Sequence, residues 1–330
     1  MCRPIQARGV YVLELGGEDD DFAVAEAATA ASDVSPIAPG LATARGITDR
    51  VAQLAYTHRA SALLARTDPE VPAAVAALEA ASLDRECSVA VRAVDVRGAT
   101  GVDTQRAERE LGQVLVDRGF TVDLDAPDHE LRALFAEGTA ALGWLAAESV
   151  RDYGDREPGD RPFFQPGSMS PLLARALANL AGARKGATVL DPMCGTGGIL
   201  IEAGLVCSRV LGFDAQDKMV RGTRENLDHF LERDWAVGRA DARHLPLRDG
   251  TDVDGVVFDA PYGRQSKISG DLTRVVEGAL REAARVTDRA VVVGDRPWAR
   301  VAHETGWTTR AAFHRPVHRS LTRHIVVLDK

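Results

Sequence analysis

The second half of this 330-residue chain reads as a doubly wound α/β sheet, and the first half as an α+β module. Three observations carry this reading. From Thr188 onward, short apolar segments (Thr188 to Leu190, Val210 to Phe213, Trp235 to Val237, Val253 to Phe258 and Ala290 to Val293) alternate with helical stretches or turns. That order places parallel strands side by side with helices packed on the faces. Two further extended segments, Thr308 to Val317 and Arg323 to Leu328, flank a short turn rich in arginine and histidine and predict a terminal antiparallel hairpin at the sheet edge. Between the halves, residues 151–166 are dense in Pro, Gly and charge, the composition of a linker. The expected division is therefore 1–150, a linker at 151–166, and 167–330.

In the first half, Gly9 to Leu15 alternates like a strand, and Ala23 to Ala31 reads as a helix. Asp49 to Thr67 carries apolar residues at helical spacing. Ser88 to Val94 is a strand by its run of valines, followed by a glycine-containing turn, a helix from Asp103 to Arg118, and a return to alternation at Phe120 to Leu124. Strand, helix, strand with polar surfaces fits a small α+β unit better than a nucleotide-binding one.

Bulk composition narrows the function classes. No apolar run approaches the roughly 20 residues of a membrane span, and Met1-Cys2-Arg3-Pro4 lacks a signal-peptide core, so a cytoplasmic protein is expected. The cysteines, Cys2, Cys87, Cys194 and Cys207, form no CxxC pair, and His314, His318 and His324 have no matching ligands, so neither disulfide framework nor metal site is expected. The net charge of −8 argues at first against a nucleic-acid partner. Lysine, however, is confined to Lys185, Lys218, Lys267 and Lys330, whereas arginine is plentiful, and acids cluster as in Glu18-Asp19-Asp20-Asp21. Such a surface is compatible with a high-salt environment, where whole-chain charge says little about a local basic groove; a compositional bias toward arginine and alanine accounts for it equally.

The strongest motif is Asp191-Pro192-Met193-Cys194-Gly195-Thr196-Gly197-Gly198, between the strand ending at Leu190 and the helical run Ile199 to Val206. Glycines at a strand-to-helix turn let backbone N–H groups approach a ligand closely. The spacing is not GxGxxG, and no Gly-Lys-Ser/Thr follows, which excludes a phosphate-gripping P-loop. Asp214 ends the next strand and Asp241 follows the one after, so acids stand at successive strand ends, where doubly wound sheets bind ligands. An acid there can accept hydrogen bonds from ribose hydroxyls.

After the fourth strand comes Asp259-Ala260-Pro261-Tyr262-Gly263. This turn resembles the Asp/Asn-Pro-Pro-Tyr/Phe motif of amino methyltransferases, whose target, an exocyclic amine of a base, is a poor nucleophile because its lone pair is delocalised into the ring. A site that methylates it must accept from the N–H groups and align the nitrogen. Asp259 and neighbouring backbone carbonyls supply acceptors, and Tyr262 can stack on an extruded base. A covalent route through cysteine is disfavoured, since Cys194 lies inside the glycine turn and Cys207 in an apolar helical run.

The Asp-Pro-x-Cys-Gly-Thr-Gly turn with Asp214 and Asp241 resembles the cofactor site of class I S-adenosylmethionine-dependent methyltransferases. By that resemblance Asp191 and the Gly195 to Gly198 turn, with Thr196 and Gly197, lie against the amino-acid end of the cofactor, Cys194 belongs to the same cofactor site, Asp214 binds the ribose, and Asp241 with Ala242 reaches the adenine. Residues 259–262 resemble the Asp/Asn-Pro-Pro-Tyr/Phe motif of amino methyltransferases, with Ala260 in place of the first proline. This loses a rigid φ but keeps the carbonyl. Val89 to Leu131 resembles the THUMP domain of tRNA-modifying enzymes. The junction Arg161 to Pro171, Leu173 to Leu177 and the tail His318 to Arg323 resemble the archaeal tRNA guanine-10 N2-methyltransferases. The resemblance implies a Rossmann-like catalytic domain with a seven-stranded sheet, tRNA as partner, and conversion of guanosine 10 to its N2-methyl and N2,N2-dimethyl forms. A monomer is expected, with a small activating partner subunit still compatible; the alternatives are a relative acting on guanosine 6 of tRNA or on ribosomal RNA and, behind it, a protein-amide methyltransferase, which shares a related catalytic motif but has no use for a THUMP-like region.

Overall fold

The computed structural model describes residues 9–83, 87–206, 208–232, 234–262, 269–318 and 321–330. The chain divides into two compact units, Met1–Val150 and Arg151–Lys330.

In the first unit, β1 (Tyr11–Leu15) leads to α1 (Asp20–Ala27), whose start is capped by the Asp19 carboxylate accepting from the Phe22 amide at 3.0 Å. The short strands β2 (Ala31–Ser32), β3 (Ser35–Ala38), β4 (Leu41–Ala44) and β5 (Gly46–Ile47) follow, then β6 (Thr57–Thr67) and α2 (Val71–Ala80). The unit closes with β7 (Ser88–Asp95), α3 (Thr104–Asp117), β8 (Thr121–Val122), β9 (His129–Ala136) and β10 (Thr139–Glu148). Eight strands make one sheet in the order β3-β4-β1-β6-β10-β9-β7-β8, and β2 pairs with β5. The apolar face of α3 (Ala107, Leu111, Val114, Leu115) packs with Leu78, Val89, Leu131, Phe135 and Trp144 in one buried cluster.

Two expectations are corrected here. The helix expected over Asp49 to Thr67 is a 3-10 turn, Asp49–Gln53, followed by the eleven-residue strand β6. This strand runs between β1 and β10, and hydrogen bonding on both edges outweighs the helical spacing of its alanines and leucines. The alternation at Phe120 to Leu124 yields only the two-residue β8 at the sheet edge.

The second unit contains α4 (Pro171–Leu180), β11 (Thr188–Asp191), α5 (Gly198–Leu205), β12 (Arg209–Asp214), α6 (Asp217–Phe230) and β13 (Trp235–Arg239). It continues with β14 (Gly255–Asp259), α7 (Ser269–Val286), β15 (Arg289–Gly294), α8 (Ala299–Glu304), β16 (Thr308–His318) and β17 (Leu321–Asp329). The sheet order is β13-β12-β11-β14-β15-β17-β16; the first five strands are parallel, and β17 and β16 close the edge as an antiparallel hairpin, as expected. The order reverses between β11 and β14, which places the ends of these two strands at the switch point where such sheets bind ligands.

The expected linker at 151–166 is not a free connector. It folds into 3-10 turns at Tyr153–Arg156 and Pro158–Asp160 within the second unit. Arg156 is buried and meets the fully buried Glu202 of α5 at 2.8 Å, and Arg175 of α4 meets the same carboxylate at 2.8 Å. Arg161, also buried, donates to the carbonyls of Arg156 (3.0 Å) and Met169 (3.2 Å). A segment that looks like a connector by composition is thus held by arginines that reach into the domain, a property composition does not report.

Candidate active site

The glycine turn between β11 and α5 is built by backbone conformation. Gly195 and Gly197 sit at φ +54° and +78°, the left-handed region open to glycine at no steric cost. A Cβ on Gly197 would also come within 2.8 Å of the Thr223 methyl, and one on Gly198 within 2.7 Å of the Arg161 guanidinium. Either substitution therefore disturbs the turn.

This turn forms one wall of a cavity of about 180 Å³. Asp191, Cys194, Gly195 and Thr196 line it, joined by Asp259 from the end of β14 and by Gln165 to Met169 from the junction segment. Five of the residues singled out from the sequence are thus brought to one cavity. Gly197 stands behind them as the N-cap of α5, and Asp214 accepts from the Gly195 amide at 3.1 Å and from Gln216 at 2.9 Å. Asp241 and Ala242 do not line this cavity. Asp241 is held by the Arg243 guanidinium, with contacts of 2.6 to 3.1 Å that keep its carboxyl well below the usual range. Ala242 packs in the apolar core beside Leu245 and Val276.

Electrostatics follow from this crowding of acids. Asp191, 2% exposed, has its pKa driven well up by burial, and the neighbouring charges of Asp214 and Asp259 push the same way. Asp214 is raised chiefly by burial. Asp259 is only partly accessible, and desolvation pushes its carboxyl up to about 6, against the opposing pull of Arg323 and the Tyr262 hydroxyl. Cys194 is buried, with its thiol pKa raised well above the ordinary value by burial and then by Asp191, so it is no nucleophile; Cys207 lies outside the described residues.

Around Asp259, the Tyr262 hydroxyl donates to both carboxylate oxygens at 2.9 and 3.1 Å. Ala260 is buried and its amide donates to the Val293 carbonyl at 2.8 Å. A proline at 260 has no N–H for that bond, so the departure from the motif exchanges a rigid φ for a tether between β14 and β15. Pro261 is exposed, and Gly263 lies outside the described residues.

Residues with no assigned role in the sequence reading complete the site. Arg323 of β17, 7% exposed, donates to the Tyr262 hydroxyl at 3.1 Å and to the Gly167 carbonyl at 3.4 Å. The Ser168 and Thr196 hydroxyls are 3.2 Å apart, and Asn226 of α6 brackets Phe163 with both ends of its amide while donating to the Thr196 carbonyl. The available signal was the resemblance over Arg161 to Pro171 and His318 to Arg323, which marks these segments without saying what their side chains touch.

Residues 158–325 match the family model described as UPF0020, RMKL-like, methyltransferase domain. The chain is 37% identical over 292 residues to the tRNA (guanine(10)-N2)-dimethyltransferase of Methanothermobacter thermautotrophicus, covering 84% of each chain. The chain belongs to the tRNA (guanine(10)-N2)-dimethyltransferase family. A second family member, from Methanocaldococcus jannaschii, is 32% identical over 78% of this chain and 74% of its own length. Among solved structures, TrmN from Thermus thermophilus aligns over 97% of this chain and 99% of its own with a TM-score of 0.48 and 25% identity.

The family's methyl donor is S-adenosylmethionine, and the cavity suits it. Its sulfonium and ammonium are cationic, and the site offers Asp191, Asp214 and Asp259, each with a pKa raised by burial, and so each relieved by a positive ligand charge. Together with the left-handed glycine turn, this donor set fits a cationic, hydroxyl-bearing ligand.

Proposed function

We propose that this chain transfers methyl groups from S-adenosylmethionine to the exocyclic N2 of guanosine 10 in tRNA, giving N2-methyl- and then N2,N2-dimethylguanosine. The observation that carries this reading is Asp259. A carboxylate at a parallel strand end shares a cavity with the glycine turn and has an aromatic side chain bonded to it. When bound, the cofactor supplies an electrophilic methyl group on a sulfonium. Asp259 accepts from the target amine, the carbonyls of Ala260 and Pro261 are further acceptors, and Tyr262 offers a ring on which the extruded base stacks. Asp191, Cys194, Gly195, Thr196 and Gly197 hold the amino-acid end of the cofactor, Asp214 its ribose, and Asp241 with Ala242 its adenine end. The first unit, with its THUMP-like stretch, delivers tRNA. The setting is the cytoplasm, and the protein acts as a monomer, with a small activating subunit compatible.

Mass spectrometry of tRNA nucleosides after incubation with protein and cofactor tests the reading. N2-methylated guanosine mapped to position 10 is expected; mapping to position 6 or to ribosomal RNA favours the alternative. A tRNA carrying adenosine or inosine at position 10 lacks the N2 amine and is expected to stay unlabelled there, so efficient labelling of either would overturn the assignment.

Cofactor affinity gives a separate check. Asp214→Ala is expected to weaken S-adenosylmethionine binding by roughly 1–3 kcal/mol through lost charge-assisted hydrogen bonds. Asp214→Asn, which can still accept from Gly195, should lose less. Calorimetric titration with unchanged affinity in both variants would remove Asp214 from the cofactor site.

A further inference from the structure

The methyl-transfer reading uses Asp259 and the ring of Tyr262 but assigns nothing to the Tyr262 hydroxyl or to Arg323. Their geometry is a relay. The Arg323 guanidinium donates to the Tyr262 oxygen, whose own proton goes to the Asp259 carboxylate. A second nitrogen of Arg323 reaches the Gly167 carbonyl on the cavity wall. One buried side chain from the last strand thus ties together the loop after β14 and the junction segment.

We propose that Arg323 is a positioning residue for base methylation: through the Tyr262 hydroxyl it fixes the ring on which the base stacks, and its own positive charge keeps the Asp259 carboxylate an acceptor. The inference rests on the methyl-transfer reading and extends it to a residue far away in sequence. An ionised carboxylate only accepts, which is what two amine protons require; a protonated one has converted an oxygen into a donor. Each group facing Asp259 has an assignable direction. Arg323 from β17 and the Tyr262 hydroxyl on its own loop favour the ionised form; Asp295 after β15 opposes it, and Asp191 at the end of β11 is a like charge across the cavity. Loss of Arg323 leaves burial and the neighbouring acids less opposed, so the carboxyl pKa rises and the acceptor form is lost at higher pH.

The test is the pH dependence of single-turnover methyl transfer to tRNA by the full chain, for wild type, Arg323→Gln, Arg323→Lys, Tyr262→Phe and the double variant Arg323→Gln/Tyr262→Phe. Calorimetric S-adenosylmethionine binding serves as the check on folding. If the acidic limb moves up by about one unit, Arg323→Gln is about fivefold slower than wild type at pH 6 and about tenfold slower at pH 5, and recovers toward alkaline pH. Tyr262→Phe is expected to move the limb the same way, and the double variant further than either single variant, because the Arg323 charge and the Tyr262 hydrogen bond each favour the ionised carboxylate. Arg323→Lys, which keeps the charge, should return most of the limb. A rate reduced equally at every pH, or a limb that does not move in Arg323→Gln, overturns the proposal. Absence of transfer by the wild-type chain overturns instead the functional reading beneath it.

Discussion

Asp259→Ala is expected to abolish methyl transfer while leaving S-adenosylmethionine affinity within a few-fold. The loss should be at least about 10²–10³-fold, the size associated with removing one preorganised group from the reacting centre. The carboxylate sits at the end of β14, on the cavity wall but not within the glycine turn, so its removal takes away the amine's acceptor and leaves the Asp191 and Asp214 surroundings in place. The wild-type pH profile carries the same signature. With the Asp259 carboxyl raised to about 6, the acceptor form is complete well above that pH and is lost as pH falls through it, so the rate should fall on the acid side. Asp259→Asn cannot titrate and should show a low rate without that limb. Single-turnover transfer of labelled methyl groups measures all three; unimpaired turnover by Asp259→Ala removes this residue from the mechanism.

The second large effect concerns where the catalytic unit begins. A chain starting at Pro162 keeps every motif of the cofactor turn but lacks Arg156 and Arg161, leaving the fully buried Glu202 with Arg175 alone. Removing one partner of a buried ion pair costs about 3–5 kcal/mol, a large part of the roughly 5–15 kcal/mol that holds a domain together. The fragment 151–330 should therefore melt roughly 6–20 °C above the fragment 162–330, by calorimetry or circular dichroism, and bind S-adenosylmethionine more tightly, since Glu202 lies on α5, the helix that the glycine turn leads into. Equal melting temperatures would remove the cluster from the stability of this unit. Both fragments should methylate tRNA poorly at low tRNA concentration compared with the full chain. A fragment 151–330 that matched the full chain there would overturn tRNA delivery by the first unit.

Much of the catalytic unit was legible before its structure. β11 and β14, buried on both faces, show as short apolar runs, and the acids at 191, 214 and 259 each end a strand, so local pattern and candidate site coincide. The first unit was less legible. β9 and β10 form a hairpin across Glu137-Gly138, with Gly138 at φ +72°, yet their residues lack the clean alternation that marks a half-exposed strand. β6 carries helix-favouring alanines and leucines but is held by neighbours on both sides.

The amino-acid sequence by itself determined the order of elements in the second unit, the glycine turn and the acids that follow its strands. Each of these is written within a few residues, through apolar periodicity and through the φ values that only glycine adopts freely. Tertiary structure alone decided that Arg156 and Arg161 belong to the catalytic unit, that the Ala260 amide is bound to Val293, and that Arg323 closes on Tyr262. Arg323 and Tyr262 lie 61 residues apart, and neither has a local pattern to show that the other is its partner. Contacts of that kind arise when the sheet order sets the terminal hairpin beside β15 and brings a late strand to the end of an early one.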